Sequence, residues 1–432
     1  MTTTNTLDLK PAASTERANV KKKLSWFNNK CRSLVLSTLN KMDDACLQIE
    51  EHGDIIELGN PNASLKGTMV VHDPSLYIDF IRGGSVGASE GYLTQKWSSP
   101  DLTAVIRVCA RSQNTLDDIE NNGSLLNKLK DKFLHYQNTN TQAGSKKNIL
   151  AHYDLGNDLY TRFLDPEMMY SCAIYSPQHS TLEQAQILKL KTICDKLNLK
   201  PSDTLIEIGT GWGALAIYAA SNYGCKVTST TISEEQYSYA QSRVRSLKLD
   251  DKITLLKQDY RLLEGTYDKL VSIEMIEAVG HAFMPSFFEK CNSLLKPNGK
   301  MLIQAITIAD QRYDSYRQNI DFIQKYIFPG GCLPSVSVMS EHIAKSTDMM
   351  IDNIEDIGLH YARTLNDWRV KFDENWADIE SFGYDEAFKR LWHYYFGYCE
   401  GAFIERVIST HHIVARKPLS KEHHDEIILN YL

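Results

Sequence analysis

Carboxylates and glycines in the second half of the chain carry the first chemical signal. Thr204 to Gly213 reads Thr-Leu-Ile-Glu-Ile-Gly-Thr-Gly-Trp-Gly. Leu205, Ile206 and Ile208 form the short apolar run of a parallel strand covered on both faces, interrupted by Glu207. A carboxylate there requires a partner. Gly209, Gly211 and Gly213 let the backbone turn sharply at the strand's carboxyl end and leave no side chain between it and a ligand. A helix from Ala214 to about Tyr223 follows. Gly209, Gly211 and Ala214 also fit the looser dinucleotide pattern, which wants an acid roughly 20 positions later to hold the ribose hydroxyls. The next strand, Lys226 to Ile232, offers Ser229, Thr230 and Thr231 instead. A second apolar strand, from Asp268, carries Glu274 and Glu277 at its carboxyl end, the side of an open α/β sheet where ligands bind. Two acids at that spacing are also ordinary surface residues in many proteins.

Length and composition suit two domains with proper cores: 432 residues, 43% hydrophobic, formal net charge −7. No span is apolar enough to cross a bilayer, and the N-terminus lacks a secretory pattern, which predicts a cytoplasmic chain with reduced thiols. The nine cysteines show no C-x-x-C pair. Cys109, Cys194 and Cys225 lie in apolar patterns and are expected to be packing residues, so no metal site is predicted. Mild acidity without a basic aromatic stripe argues against a nucleic-acid partner.

The elements that must position these residues fall into two expected domains, 1–145 and 146–432. Residues 1 to about 19 are polar and small, the composition of disorder. From Val20 to Met42, Lys21, Lys22, Lys23, Lys30, Arg32 and Lys41 combine with Leu24, Phe27, Cys31, Leu34, Val35, Leu39 and Met42 at helical spacing. This is either a basic amphipathic helix lying on anionic lipid or a helix packed on its own domain. Strands are predicted near Asp54–Leu58 and Gly67–Val71. Glycines between Ile81 and Gly87 allow close backbone approach, and Asp101 is a cap for a helix through Arg111. Linker composition at residues 136–146 marks the boundary.

After the linker, His152 to Tyr175 interleaves polar groups with Tyr153, Tyr160, Phe163, Tyr170 and Tyr175. That mixture predicts an ordered lid over a pocket rather than a regular element. This stretch and Glu207–Gly213 together resemble the cyclopropane-fatty-acyl-phospholipid synthase family, including mycolic-acid cyclopropane synthases and related lipid methyltransferases. The likeness covers nearly the whole second domain, and the first resembles that of the longer bacterial members. It implies a Rossmann-like class I methyltransferase sheet with helices on both faces, a small N-terminal α+β domain, and S-adenosylmethionine as cofactor.

Carried over by residue, the resemblance places Tyr170 and Ser171 beside the glycine loop. Glu207, Gly209, Gly211 and Gly213 form that loop. Thr231 and Gln236 contact the ribose and amino-acid portion, and Asp259, Tyr260 and Arg261 contact the adenine. Cys172 faces the reaction centre. Glu277, Cys172, the backbone of Ile306 and Tyr361 would hold a bicarbonate ion. The family's Leu-His-Thr-Ile stands here as Ile303-Gln304-Ala305-Ile306, so Gln304, which carries neither proton nor charge near neutral pH, replaces its histidine. Cys399 is treated as an active-site residue in the family, although a packing role is the stronger reading of its surroundings.

The implied chemistry is alkylation of a cis double bond in the unsaturated acyl chain of a membrane phospholipid. Aromatic faces of Tyr170, Tyr175, Tyr361 and Trp212 would stabilise the carbocation, and a base would remove a proton to close a cyclopropane ring. Proton loss from a neighbouring carbon gives a methylene product, and a reductase partner would give a methyl branch. A small-molecule methyltransferase and a homodimer stay open. A peripheral position on the inner face of the membrane follows from the substrate.

Overall fold

The computed structural model describes residues 26–113 and 156–421, which belong to two compact units. The first spans the N-terminal residues and a return segment, Tyr384–Glu405, and the second takes Leu134–Gly383 and Arg406–Leu432. The expected boundary at 145 lies outside the described residues, and the return segment belongs with the first unit although it follows the linker by more than two hundred residues.

In the first unit a sheet runs β2-β1-β3-β4, with β1 (Cys46–Glu51) antiparallel to β2 (Asp54–Gly59) and parallel to β3 (Lys66–Val71). The short β4, Trp97–Ser98, completes it. Helix α1 (Trp26–Leu39) buries Cys31, Val35 and Leu39, so half of its apolar face packs within its own unit. Trp26, Phe27 and Leu34 remain exposed. Lys21, Lys22, Lys23 and Leu24 lie outside the described residues. Helix α2 (Leu76–Leu93) runs through the predicted glycine-broken segment with a kink at Gly84. The predicted close approach occurs at Gly87, where a Cβ would fall 2.0 Å from the carbonyl oxygen of Asp79. Helix α3 (Leu102–Arg111) starts at Asp101, whose Oδ1 accepts from the Ala104 amide at 2.9 Å as expected of a cap. The Glu386–Ile404 helix packs on α3. There Thr103 Oγ1 donates to the buried Glu400 at 2.8 Å, and Arg107 and Arg111 converge on Glu405.

The second unit is built on a seven-stranded sheet ordered β10-β11-β9-β8-β5-β6-β7. Strands β5 (Thr204–Ile208), β6 (Lys226–Thr231), β7 (Ile253–Lys257), β8 (Tyr267–Ile273) and β9 (Leu295–Ile308) are parallel neighbours. β10 (Met350–Asp356) and β11 (Ile408–Arg416) close one edge antiparallel. Apolar clusters cover both faces of β5, one around Leu205 and one around Ile206 and Ile208, as its apolar run requires.

Helices α4 (Asn157–Phe163), α5 (Leu182–Leu197), α6 (Ala214–Asn222), α7 (Glu234–Ser246), α8 (Met284–Ser293), α9 (Val336–Ser346) and α10 (Gly358–Glu374) follow in chain order. α4 corrects the expectation for its stretch. Leu159, Tyr160 and Phe163 recur at helical spacing and are fully buried, so this part of the predicted lid is a helix anchored in the core. His152 and Tyr153 lie outside the described residues.

Candidate active site

The glycine turn is stretched over the end of β6. The amides of Gly209 and Thr210 both donate to the carbonyl of Thr230 at 3.0 Å. Gly209, Gly211 and Gly213 have φ of +103°, +51° and +92°, left-handed values that favour glycine. No heavy atom comes within 4 Å of where a Gly211 Cβ would stand, so the turn opens onto free space there. Glu207 lies beneath and finds the partner its burial demands. Ser229 Oγ donates to its Oε2 at 2.5 Å and also meets Thr210 Oγ1 at 2.7 Å. Burial pushes the Glu207 carboxyl up to about 8, against the lowering effect of Ser229.

Other expected cofactor residues border the same edge of the sheet. Thr231 Oγ1 donates to Gln236 Oε1 at 2.8 Å and accepts from the Ser233 amide, fixing the start of α7. Asp259 accepts from the amide and guanidinium of Arg261, while Tyr260 packs edge-on against Phe287. Ser171 accepts from Lys189 Nζ at 2.6 Å. The Tyr170 ring lies 5.1 Å from Trp368 and 5.4 Å from Tyr160, and Trp212 lies 5.1 Å from Tyr160. The open space at Gly211, the aromatic wall and the polar strand ends suit the sulfonium nucleoside that the resemblance implies.

A polar cluster is centred on Glu274. Oε1 accepts from the Cys172 amide at 2.9 Å and from Gln304 Nε2 at 2.7 Å, and Oε2 accepts from Tyr361 OH at 2.7 Å. β-register explains why Gln304 is there, since it lies opposite Ile273 on β8 and His412 on β11. His412 Nε2 meets Gln304 Oε1 at 2.9 Å, and Lys196 Nζ meets His412 Nδ1 at 2.8 Å. Burial and the neighbouring lysines hold His412 well below its ordinary range, hence neutral. With Lys196 donating to Nδ1, the ring's remaining proton is on Nε2. It points to the Gln304 oxygen and turns the Gln304 amide nitrogen toward Glu274.

Lys189 is fully buried, and its charge favours the ionised form of Glu274. Burial lowers the lysine itself, against the carboxylates of Glu274 and Asp165. Burial also raises Glu274, but its three donors and Lys189 oppose that shift. Glu277 is different. Its Oε1 accepts from the Ile306 amide at 2.5 Å, while Oε2 is buried without a partner among the described residues. Burial, then the charge of Glu274, pushes Glu277 up to about 8. Near neutral pH Glu277 is thus the protonated member, and Glu274, with three donors and Lys189 facing it, is the one whose charged form is better held.

Met275 connects this cluster to the glycine turn, because a Cβ on Gly209 would stand 3.4 Å from the Met275 side chain. Trp368 closes the wall, with ring centroids 5.1 Å from Tyr170 and 5.9 Å from Tyr361. Residues 140–413 match the family described as mycolic acid cyclopropane synthetase. The chain belongs to that family. Membership brings with it the class I S-adenosylmethionine-dependent methyltransferase fold and activity class. Cyclopropane-fatty-acyl-phospholipid synthase of Escherichia coli (strain K12) is 38% identical over 360 residues, 82% of this chain and 88% of that protein. Tuberculostearic acid methyltransferase UfaA1 of Mycobacterium tuberculosis is 36% identical over 344 residues, 78% and 80% of the two chains. The mycolic acid cyclopropane synthase CmaA1, solved with SAH and CTAB, aligns with a TM-score of 0.59 at 29% identity over 63% of this chain and 98% of its own.

Within this family member, Cys172, Glu277, Gln304, Ile306 and Tyr361 do come together. One of them contributes differently from the expectation. Cys172 offers its backbone amide, while its thiol is buried, lies 3.3 Å from the Ala173 carbonyl oxygen and is held protonated by burial. Tyr175 does not join the aromatic wall described above. It stacks on His360 and donates to Asp367 at 2.9 Å. Cys399 belongs to the Glu386–Ile404 helix of the first unit, so it is not among the residues the second unit gathers. Sequence reasoning passed over Glu274 in favour of Glu277 and missed Lys189, His412 and Trp368. The available signal for Glu274 was its position as the first residue past β8.

Proposed function

We propose that the protein methylates the cis double bond of unsaturated fatty acyl chains in phospholipids and closes a cyclopropane ring. One observation carries this reading: a carboxyl group held by three donors, Glu274, and a wall formed by Tyr170, Tyr361 and Trp368 meet beside the open glycine turn. The bound cofactor would supply an electrophilic methyl group. Residues of the glycine turn, with Thr231, Gln236 and Asp259, would hold it. The aromatic faces favour positive charge on the acyl chain. The Cys172 thiol, on the residue whose amide donates to Glu274, is protonated and turned to a backbone carbonyl, so it does not trap that charge.

Incubation of the purified protein with labelled S-adenosylmethionine and mono-unsaturated phospholipid vesicles tests the reading. Mass spectrometry with chain fragmentation is expected to find a cyclopropane at the former double bond. A methylene or methyl-branched chain would correct the product and keep the methyl transfer, the branched case calling for a reductase. Label on soluble amines or phenols, with lipid unmodified, would reject the lipid reading.

No described helix is long and apolar enough to cross a membrane, so access to such a substrate would be peripheral. The exposed Trp26, Phe27 and Leu34 of α1, with Lys30 4.0 Å from the Trp26 ring, suit contact with an anionic lipid surface. A chain carrying Trp26→Ser and Leu34→Ser is expected to partition about tenfold more weakly onto anionic vesicles in sedimentation, from the apolar area removed. Equal partition would make α1 purely structural.

A further inference from the structure

Bicarbonate is the base implied for this site, yet the amide and side-chain donors that would hold it are already engaged by carboxylates of the chain, and of the implied ligands only Glu277 keeps an unpartnered atom, Oε2, among the described residues. The Cys172 amide, Gln304 Nε2 and Tyr361 OH donate to Glu274, and the Ile306 amide donates to Glu277. Both acids are partly buried at the end of β8, and the Glu277 Oε2 atom is shielded from solvent. An exogenous anion would have to displace Glu274 from three donors and sit beside its charge. The residues present therefore do not fit bicarbonate.

We infer that Glu274 is itself the base of this site, occupying the anion position through the Cys172 amide, Gln304 and Tyr361, and that the protein works without bicarbonate. The inference rests on the proposed lipid methylation. Once a methyl group has joined one alkene carbon, its neighbour is cationic. A Glu274 oxygen takes a proton from the added methyl. The electrons of that C–H bond become the new C–C bond to the cationic carbon, which closes the ring and cancels the charge. Glu274 is left neutral and returns the proton to water when product leaves. Gln304 cannot take that proton, and Glu277, already neutral, is a poor acceptor.

The backbone also provides a direct test. Glu274 has φ of +48°, which glycine adopts without strain. Glu274→Gly should therefore keep the turn while freeing three donors around a carboxylate-sized space. The first measurement is binding of ¹³C-bicarbonate by NMR line broadening in otherwise CO₂-free buffer, expected to be absent for the wild type and present for Glu274→Gly. The second is turnover on unsaturated phospholipid vesicles. Wild-type turnover should be unchanged by removing bicarbonate. Glu274→Gln should lose at least about a hundredfold, the scale of a general base, with unchanged affinity for S-adenosylhomocysteine. Glu274→Gly should be slow and recover with added bicarbonate. Bicarbonate binding to the wild type, a bicarbonate requirement, or near-normal turnover by Glu274→Gln would overturn the inference. If the wild type modifies no lipid at all, the proposed function fails while the binding comparison still decides whether Glu274 fills the anion site.

Discussion

A chain carrying Gly211→Val is expected to fold and to lose S-adenosylhomocysteine affinity by at least about a hundredfold, measured by calorimetry. Two effects act together at this position. The φ of +51° is a left-handed value that a β-branched residue resists, at a cost of about 1–2 kcal/mol. The open space beyond the Cα leaves a valine side chain free of clashes with the protein, so the turn can keep its course and the side chain stands where a ligand would lie. Gly213 provides the contrast. There a Cβ would stand 3.1 Å from the Ala240 Cβ, at φ +92°, so substitution strains the packing of the turn on α7 itself. Gly211→Val should thus separate binding from folding, with only a modest fall in Tm. Cofactor affinity within a few-fold of wild type would remove the glycine turn from the binding site.

What the sequence disclosed was mostly local. The glycine turn, the short apolar strands and the Asp101 cap each depend on residues a few positions apart, where period and residue type are sufficient. The choice between Glu274 and Glu277 was of another kind. Their spacing places both at one strand end, but only the partners separate a carboxyl group with three donors from a neutral acid with one. Those partners arrive from distant segments: Tyr361 is 87 residues from Glu274, and His412 is 108 from Gln304. Lys189 gives even less warning. A lysine in a polar-looking helix normally marks the solvent face, yet this one is buried because Ser171, Asp165 and Glu274 surround it. The Glu386–Ile404 helix belongs to the first unit, where the Thr103–Glu400 and Arg107–Glu405 contacts hold it. No periodicity announces a pairing across nearly three hundred residues.

Raising the pH is expected to destabilise the ligand-free protein through Glu207, and Glu207→Gln should remove that dependence. The carboxyl is buried with one donor, Ser229, backed by the Thr210 hydroxyl, and the Cys194 thiol is the titratable neighbour its charge affects. Among the described residues no buried cation offsets ionisation, so the folded state holds the proton up to about pH 8, whereas an unfolded glutamate releases it near its ordinary value of 4.5. Because the folded pKa is raised, the contribution to stability is fully present below the unfolded value. It is lost as pH rises through the folded value, since across that window the folded state binds more protons than the unfolded. At up to about 1.4 kcal/mol per unit, Glu207 alone would weaken the fold by a few kcal/mol between pH 5 and pH 8. A glutamine keeps an oxygen for Ser229 and never ionises. In urea denaturation the variant should therefore match or fall slightly below wild type at pH 5 and exceed it at pH 8. Glu277→Gln should act in the same direction, although Glu274, Tyr316 and Cys332 respond to the same charge and make its window broader. Parallel stability curves for wild type and Glu207→Gln would mean that Glu207 is ionised in the folded protein, with a cation or water compensating it beneath the glycine turn.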